Sequence, residues 1–130
     1  MTRILIALTA AVLALPAVAR DDRTIGAETT IPYSAAGAIR RYAVDRADPR
    51  IVHMQDGRLR WYRVTLTGAC LPVDNQATLL TRTRGENRLD RSALVGSSRY
   101  PGRLCGIARI VNALPPVDSS EAAVRRRSSR

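Results

Sequence analysis

Two runs of β-type residues, 50–55 and 58–66, meet at Asp56-Gly57. That arrangement constrains the fold more than any other stretch of the chain. Asp-Gly supplies the positive φ angles that a two-residue type I′ turn demands, so the segment predicts a β-hairpin. The register that follows sets Met54 opposite Leu59, His53 opposite Arg60, Val52 opposite Trp61 and Ile51 opposite Tyr62. One face then carries Val52, Met54, Leu59 and Trp61 near the turn, and the other carries Ile51, Tyr62, Val64 and Leu66 further away. The buried side changes along the hairpin. This requires either cover on both faces, as in a small barrel, or a bulge near Trp61 and Tyr62 that shifts the parity.

Other segments agree with a β fold. Ile31-Pro32-Tyr33 suits an edge strand, because proline cannot donate to a central ladder. Residues 34–41 are Ala-rich and interrupted by Gly37, and give only a weak helical turn. Gly68 and Pro72 break the chain after the hairpin. A third strand is expected over 76–84, with Ala77, Leu79, Thr81 and Thr83 on one face and Leu80, Arg82 and Arg84 on the other. Residues 89–95 suit either a short strand or a helical turn, 97–102 read as a loop around Pro101, and 103–111 as a further strand. The expected fold is mainly β, a small antiparallel sheet or partly closed barrel with one disulfide.

The chain opens with Arg3, an apolar run over 4–18 and Ala17-Val18-Ala19 ahead of Arg20-Asp21-Asp22. This is the pattern of a signal peptide with an A-x-A cleavage site near Ala19. The run is shorter than the roughly 20 residues a spanning helix needs, so the expectation is a protein that does not span the membrane and is periplasmic or extracellular after cleavage. The remaining chain divides into a flexible lead-in (20–30), a β domain (31–113) and a disordered basic tail (114–130). Cys70 and Cys105 are the only cysteines. An oxidising compartment favours joining them, and the loop they would close lowers the entropy of the unfolded state. They lack the C-x-x-C spacing of a redox-active pair.

All 21 basic residues are Arg, against 11 acids, for a formal charge of +10. Complete exclusion of Lys fits codon usage in a GC-rich genome better than selection for anion recognition, since Lys also binds phosphate. The charge still attracts anionic polymers. Outside the cytoplasm these are lipopolysaccharide, acidic phospholipid or cell-wall carboxylates, not nucleic acid.

No constellation of side chains announces a reaction. His53 is the only histidine, and Arg60 opposite it disfavours the imidazolium that a catalytic triad forms. No Lys is present for a Ser-Lys dyad, and no G-x-S-x-G surrounds Ser92, Ser97 or Ser98. Glu86 and Asp90 alternate with Arg84, Arg88 and Arg91 as in a salt-bridged surface loop, and match no calcium-loop spacing. No cofactor or metal site is expected. Trp61 and Tyr62 lie between Arg60 and Arg63, but adjacent strand residues point to opposite faces, so at most one ring can serve a stacking platform. With so few aromatics, both are expected in the core. Arg82, Arg84, Arg88 and Arg91 form the candidate anion-binding group. Arg125 to Arg127 and Arg130 read as a solvated tail rather than a membrane anchor.

Ile31-Pro32-Tyr33, Gly37 with Ile39-Arg40, the Trp61-Tyr62 strand, Leu66 leading to Cys70, Leu89-Asp90-Arg91 and Cys105-Gly106-Ile107 together resemble an uncharacterised family of small secreted alphaproteobacterial proteins, sphingomonads among their hosts, built on a domain of unknown function. The resemblance covers residues 28–112 and departs at Ser92, where an aromatic is expected after the Asp-Arg pair. It implies an envelope protein with paired cysteines and a mostly β domain, and transfers no functional residues. The expected function is a non-enzymatic envelope module that binds or supports another envelope component, an anionic polymer or a protein. The alternatives are an electrostatic binder of anionic envelope polymers and a hydrolase of unknown substrate.

Overall fold

The computed structural model describes residues 22–32, 39–73, 77–84 and 87–117. The expected leader, Tyr33 to Gly37, Glu86 and the arginines of the tail lie outside the described residues. Eight strands follow in chain order: β1 (Ile31–Pro32), β2 (Ile39–Val44), β3 (Ile51–Asp56), β4 (Trp61–Leu66), β5 (Leu79–Arg82), β6 (Arg88–Leu89), β7 (Leu94–Ser97) and β8 (Tyr100–Ala113). Among the described residues there is no helix, so none is long and apolar enough to cross a membrane. All pairings between these strands are antiparallel. The larger sheet has the order β2-β3-β4-β8-β7-β5, and β1 pairs with β6 in a second, small sheet. The mainly β fold is that expected, curled as a half-barrel. Its two edge strands approach where the Tyr42 hydroxyl donates to the Ala77 carbonyl just ahead of β5.

The central hairpin forms where the sequence puts it, but not in the expected register. Met54 pairs with Tyr62, Val52 with Val64, His53 with Arg63 and Gln55 with Trp61. The turn is three residues long instead of two, and Leu59 takes a left-handed conformation at φ 66° while Gly57 does not. Asp56 organises this longer turn. Its Oδ1 accepts from the amides of Arg58 (2.9 Å) and Arg60 (3.0 Å), its Oδ2 accepts from the Tyr62 hydroxyl (2.9 Å), and its carbonyl accepts from the Leu59 amide. Packing explains the choice. The observed register sets Val52, Met54, Tyr62, Val64 and Leu66 on one face, all buried. A two-residue turn would turn the last three away from the first two. Each buried apolar side chain contributes about 1.5–3 kcal/mol, whereas a left-handed Leu costs roughly 1–2 kcal/mol. Burial wins, and the change of buried side expected within the hairpin disappears.

The concave face of the sheet is the core. Val44, Val95, Ile107 and Ile110 join the hairpin residues, and Ile31, Leu71, Leu89 and Ala93 complete the cluster from outside the sheet. Cys70, in the loop after β4, is bonded to Cys105 of β8 with 5.9 Å between Cα atoms. The expected disulfide is therefore present.

Several expectations at the margins are corrected. Residues 39–41, included in a weak helical turn, begin β2. The strand expected over 76–84 is ordered as β5 only at Leu79–Arg82. The ambiguous 89–95 segment ends β6, turns at Asp90 and starts β7, with the Ser92 amide and hydroxyl both donating to Asp90 Oδ1. Ser97 pairs with Tyr100, so 97–102 is the tip of a hairpin and the start of β8, not a loop. The register shift between Gly96 and Ser97 leaves Pro101 in a bulge, where a missing amide breaks no ladder. The lead-in is also paired. Glu28 bridges Val111, and backbone hydrogen bonds join Gly26 to Asn112, Asn112 to Ala27 and Thr29 to Ile110. The Arg23 guanidinium packs 4.8 Å from the Tyr62 ring centroid and donates to Asn112 Oδ1 and the Trp61 carbonyl, both at 3.1 Å.

Candidate functional site

With Val52, Met54, Tyr62 and Val64 turned inward, the alternate residues His53, Gln55, Trp61 and Arg63 occupy the outer face of β3 and β4. The pairing of β2 sets Arg41 beside Gln55 and Ala43 beside His53, and that of β8 sets Ala113 beside Trp61. Ala43, small among large neighbours, leaves a depression. It is a cleft of about 1340 Å³, walled on one side by Arg40, Arg41, Asp45 and Arg46 and on the other by Leu114, Pro115, Pro116 and Val117.

Four arginines, Arg40, Arg41, Arg46 and Arg63, line this cleft with one acidic residue, Asp45. That carboxylate is already engaged. It accepts from the amides of Ala47 (2.8 Å) and Asp48 (3.2 Å), and these two bonds hold its pKa below the ordinary carboxylate value against desolvation, with lesser help from His53 and Arg63. The His53 Nε2 lies 3.9 Å from Asp45 Oδ2. Burial pushes the imidazole pKa below 6.5, Asp45 opposes the shift and Arg63 adds to it, so His53 is neutral at pH 7. The cation expected opposite His53 is present, but it is Arg63 and not Arg60. The cleft is therefore electropositive at neutral pH, with excess donors of the planar, forked kind that match carboxylate and phosphate oxygens.

The two neighbouring aromatics divide between the faces. Tyr62 is core, its hydroxyl bonded to Asp56, and burial followed by that bond raises its pKa to about 12. Trp61 lies outside the core cluster on the cleft floor, only 5% exposed. Both rings are buried, as expected, but on opposite faces, because the observed register gives inward and outward faces to adjacent residues.

The candidate anion-binding arginines are spread over two sheets. Arg82 ends β5 in the large sheet and Arg84 follows it, while Arg88 opens β6 in the small sheet and meets Asp90 at 3.5 Å. Arg91 lines a separate pocket of about 290 Å³ with Glu28, Thr29, Thr30, Asp90, Ser92 and Ile110. Among the described residues no group of three or more His, Cys, Asp or Glu is placed to hold a metal ion. The arginines of the cleft were not singled out by the sequence reading. The signal lay in the parity of the hairpin, which fixes His53, Trp61 and Arg63 on one face once the apolar residues are required to share the other. No protein-family model, curated protein or solved structure matches the chain.

Proposed function

We propose that the protein is a non-enzymatic module of the cell envelope, periplasmic or extracellular after removal of a leader near Ala19, that binds an anionic envelope component in the outer-face cleft. The observation that carries this reading is the cleft's charge balance, four arginines with one carboxylate, that of Asp45, whose Oδ1 accepts from two backbone amides. An anion entering the cleft meets arginines in excess of carboxylates. The described lining residues include no Ser, Thr or Cys, and the phenol of Tyr42 is committed to Ala77.

The test is retention of the purified protein on lipopolysaccharide and on isolated cell wall, titrated with salt. Replacing Arg41, Arg46 and Arg63 together with Gln is expected to weaken retention about tenfold or more, in line with about 0.5–1 kcal/mol or more per lost charge-assisted contact. Replacing Arg82, Arg84, Arg88 and Arg91 with Gln is expected to leave it nearly unchanged. The opposite ranking would move the site to the β5–β6 arginines and overturn the assignment of the cleft.

A further inference from the structure

The cleft has two unlike walls. The strand order β2-β3-β4-β8 sets β2 on one side of its floor and the chain leaving β8 on the other. The first side is cationic. The register shift between Ile39 and Arg41 leaves Arg40 as the extra residue of a bulge, so that Arg40 and Arg41, neighbours that strict alternation sends to opposite faces, both line the cleft. Arg46 follows in the bend after β2, and Arg63 joins from β4. The second side is apolar. Leu114 and Val117 stand 49% and 73% exposed with Pro115 and Pro116 between them, and Val73, 39% exposed, also lines the cleft. Exposed apolar residues scattered singly are ordinary, but three gathered in one concavity beside a cluster of cations mark a binding surface. A polar anionic polymer satisfies the arginines and leaves the apolar wall wet. A ligand with an anionic head and a hydrocarbon chain satisfies both.

We infer that the ligand of the cleft is a single lipid molecule with a phosphate monoester head, the phosphate held on the side of Arg40, Arg41 and Arg46 and the hydrocarbon chain laid over Trp61 onto Leu114 and Val117. The inference rests on the cleft being an anion site, and deepens it by naming the class of ligand. Charge favours phosphate over carboxylate as the head. The arginines of the lining outnumber its one acidic residue by three, and a phosphate monoester brings about two negative charges where a carboxylate brings one. Its terminal oxygens also suit the forked donors of more than one guanidinium. Size agrees as well. The cleft, at about 1340 Å³, exceeds the roughly 300–1,000 Å³ of an ordinary small-molecule pocket, which leaves room for a head and a chain together.

The experiment titrates the purified full protein with glycerol phosphate, with octyl, decyl and dodecyl phosphate kept below their micelle-forming concentrations, and with dodecanoate. Binding is read by calorimetry and by the emission of Trp61, the only tryptophan and part of the cleft floor. The expected result is a gain of at least about threefold for each two methylenes added, below the roughly fifteenfold that their complete burial gives. Dodecyl phosphate is expected to bind more tightly than dodecanoate. The variant Leu114→Ser/Val117→Ser, at two exposed positions, is expected to lose most of the chain-length gain while binding glycerol phosphate as the parent does. The variant Arg41→Gln/Arg46→Gln is expected to weaken every phosphate, glycerol phosphate included. Affinity that is flat with chain length but still depends on Arg41 and Arg46 overturns the lipid and leaves the anion site standing. A chain-length gain indifferent to Leu114 and Val117 overturns the apolar wall as the seat of the chain. Dodecanoate bound as tightly as dodecyl phosphate overturns the choice of head. Binding of every phosphate unchanged by the loss of Arg41 and Arg46 overturns the anion reading of the cleft itself. Binding confined to phosphatidylcholine vesicles that carry phosphatidic acid, with no monomeric phosphate bound, overturns the inference in favour of a membrane surface.

Discussion

Leu59 holds a backbone conformation that an L-residue adopts at a cost, with φ at 66° and the residue 52% exposed. The strain is tolerated because the turn it closes turns Tyr62, Val64 and Leu66 inward. Glycine relieves it with little loss of packing, so Leu59→Gly is expected to raise stability by roughly 0.5–1 kcal/mol, read as a higher urea midpoint. A lower midpoint would mean that the Leu59 side chain contributes contacts beyond its conformation. His53 gives a pH dependence of definite sign. Burial depresses its pKa below 6.5, so just under that value the unfolded chain binds a proton that the folded chain does not. The stabilisation is complete above about pH 6.5 and is lost as pH falls through the folded pKa. Thermal midpoints taken between about pH 7.5 and about pH 5 should fall for the parent and stay nearly level for His53→Gln. Equal slopes for the two proteins would assign the loss to other groups. Below that range the depressed carboxylates of Asp45, Asp48 and Asp90 add a further loss as they protonate.

At the scale of elements, β8 is the strand on which the fold depends. Its first half pairs with β7, and its second half lies between β4 and the lead-in. Gly96 sits where the β7–β8 register shifts, and a Cβ there would stand 2.6 Å from Leu104 Cδ2 and 2.8 Å from the Arg103 carbonyl oxygen. The second contact is backbone and cannot swing aside. Gly96→Ala is therefore expected to cost about 1–3 kcal/mol in chemical denaturation. Gly102→Ala, with nothing within 4 Å of the added carbon, serves as the near-neutral control. Similar midpoints for the two variants would show that the bulge yields. These elements also show how far the sequence could be read. The hairpin is legible because Asp56-Gly57 lies between two β-type runs, but its register is not, because Asp-Gly favours a two-residue turn while side-chain parity demands an odd one. Val52, Met54, Tyr62, Val64 and Leu66 occupy even positions, and only an odd-length turn brings them to one face. The cleft residues His53, Trp61 and Arg63 share a face only in the observed register. The pairing of β2 was hidden by the bulge between Ile39 and Arg41, which interrupts strict alternation. The lead-in carries no periodic pattern, since Gly26, Ala27 and Thr29 are held to β8 by backbone bonds to which side-chain identity contributes little.

For the molecule as a whole, the core is modest and the disulfide is the main covalent restraint. Cys70 and Cys105 are 35 residues apart, and closing a loop of that length removes unfolded-state entropy equivalent to about 4 kcal/mol. That is a large fraction of what a small domain has in total. Cys70→Ser/Cys105→Ser, or reduction of the parent, should lower the unfolding free energy by roughly that amount. A loss below about 1 kcal/mol would mean that the half-barrel holds without its bridge. The exchange of backbone hydrogen bonds between residues 26–29 and 110–112 has a further consequence. The polypeptide enters and leaves the body side by side, through one doorway. The unit is thereby suited to being spliced into an exposed loop of a carrier protein, which would feel it as a short detour rather than as a spacer, and its cleft would travel with it intact.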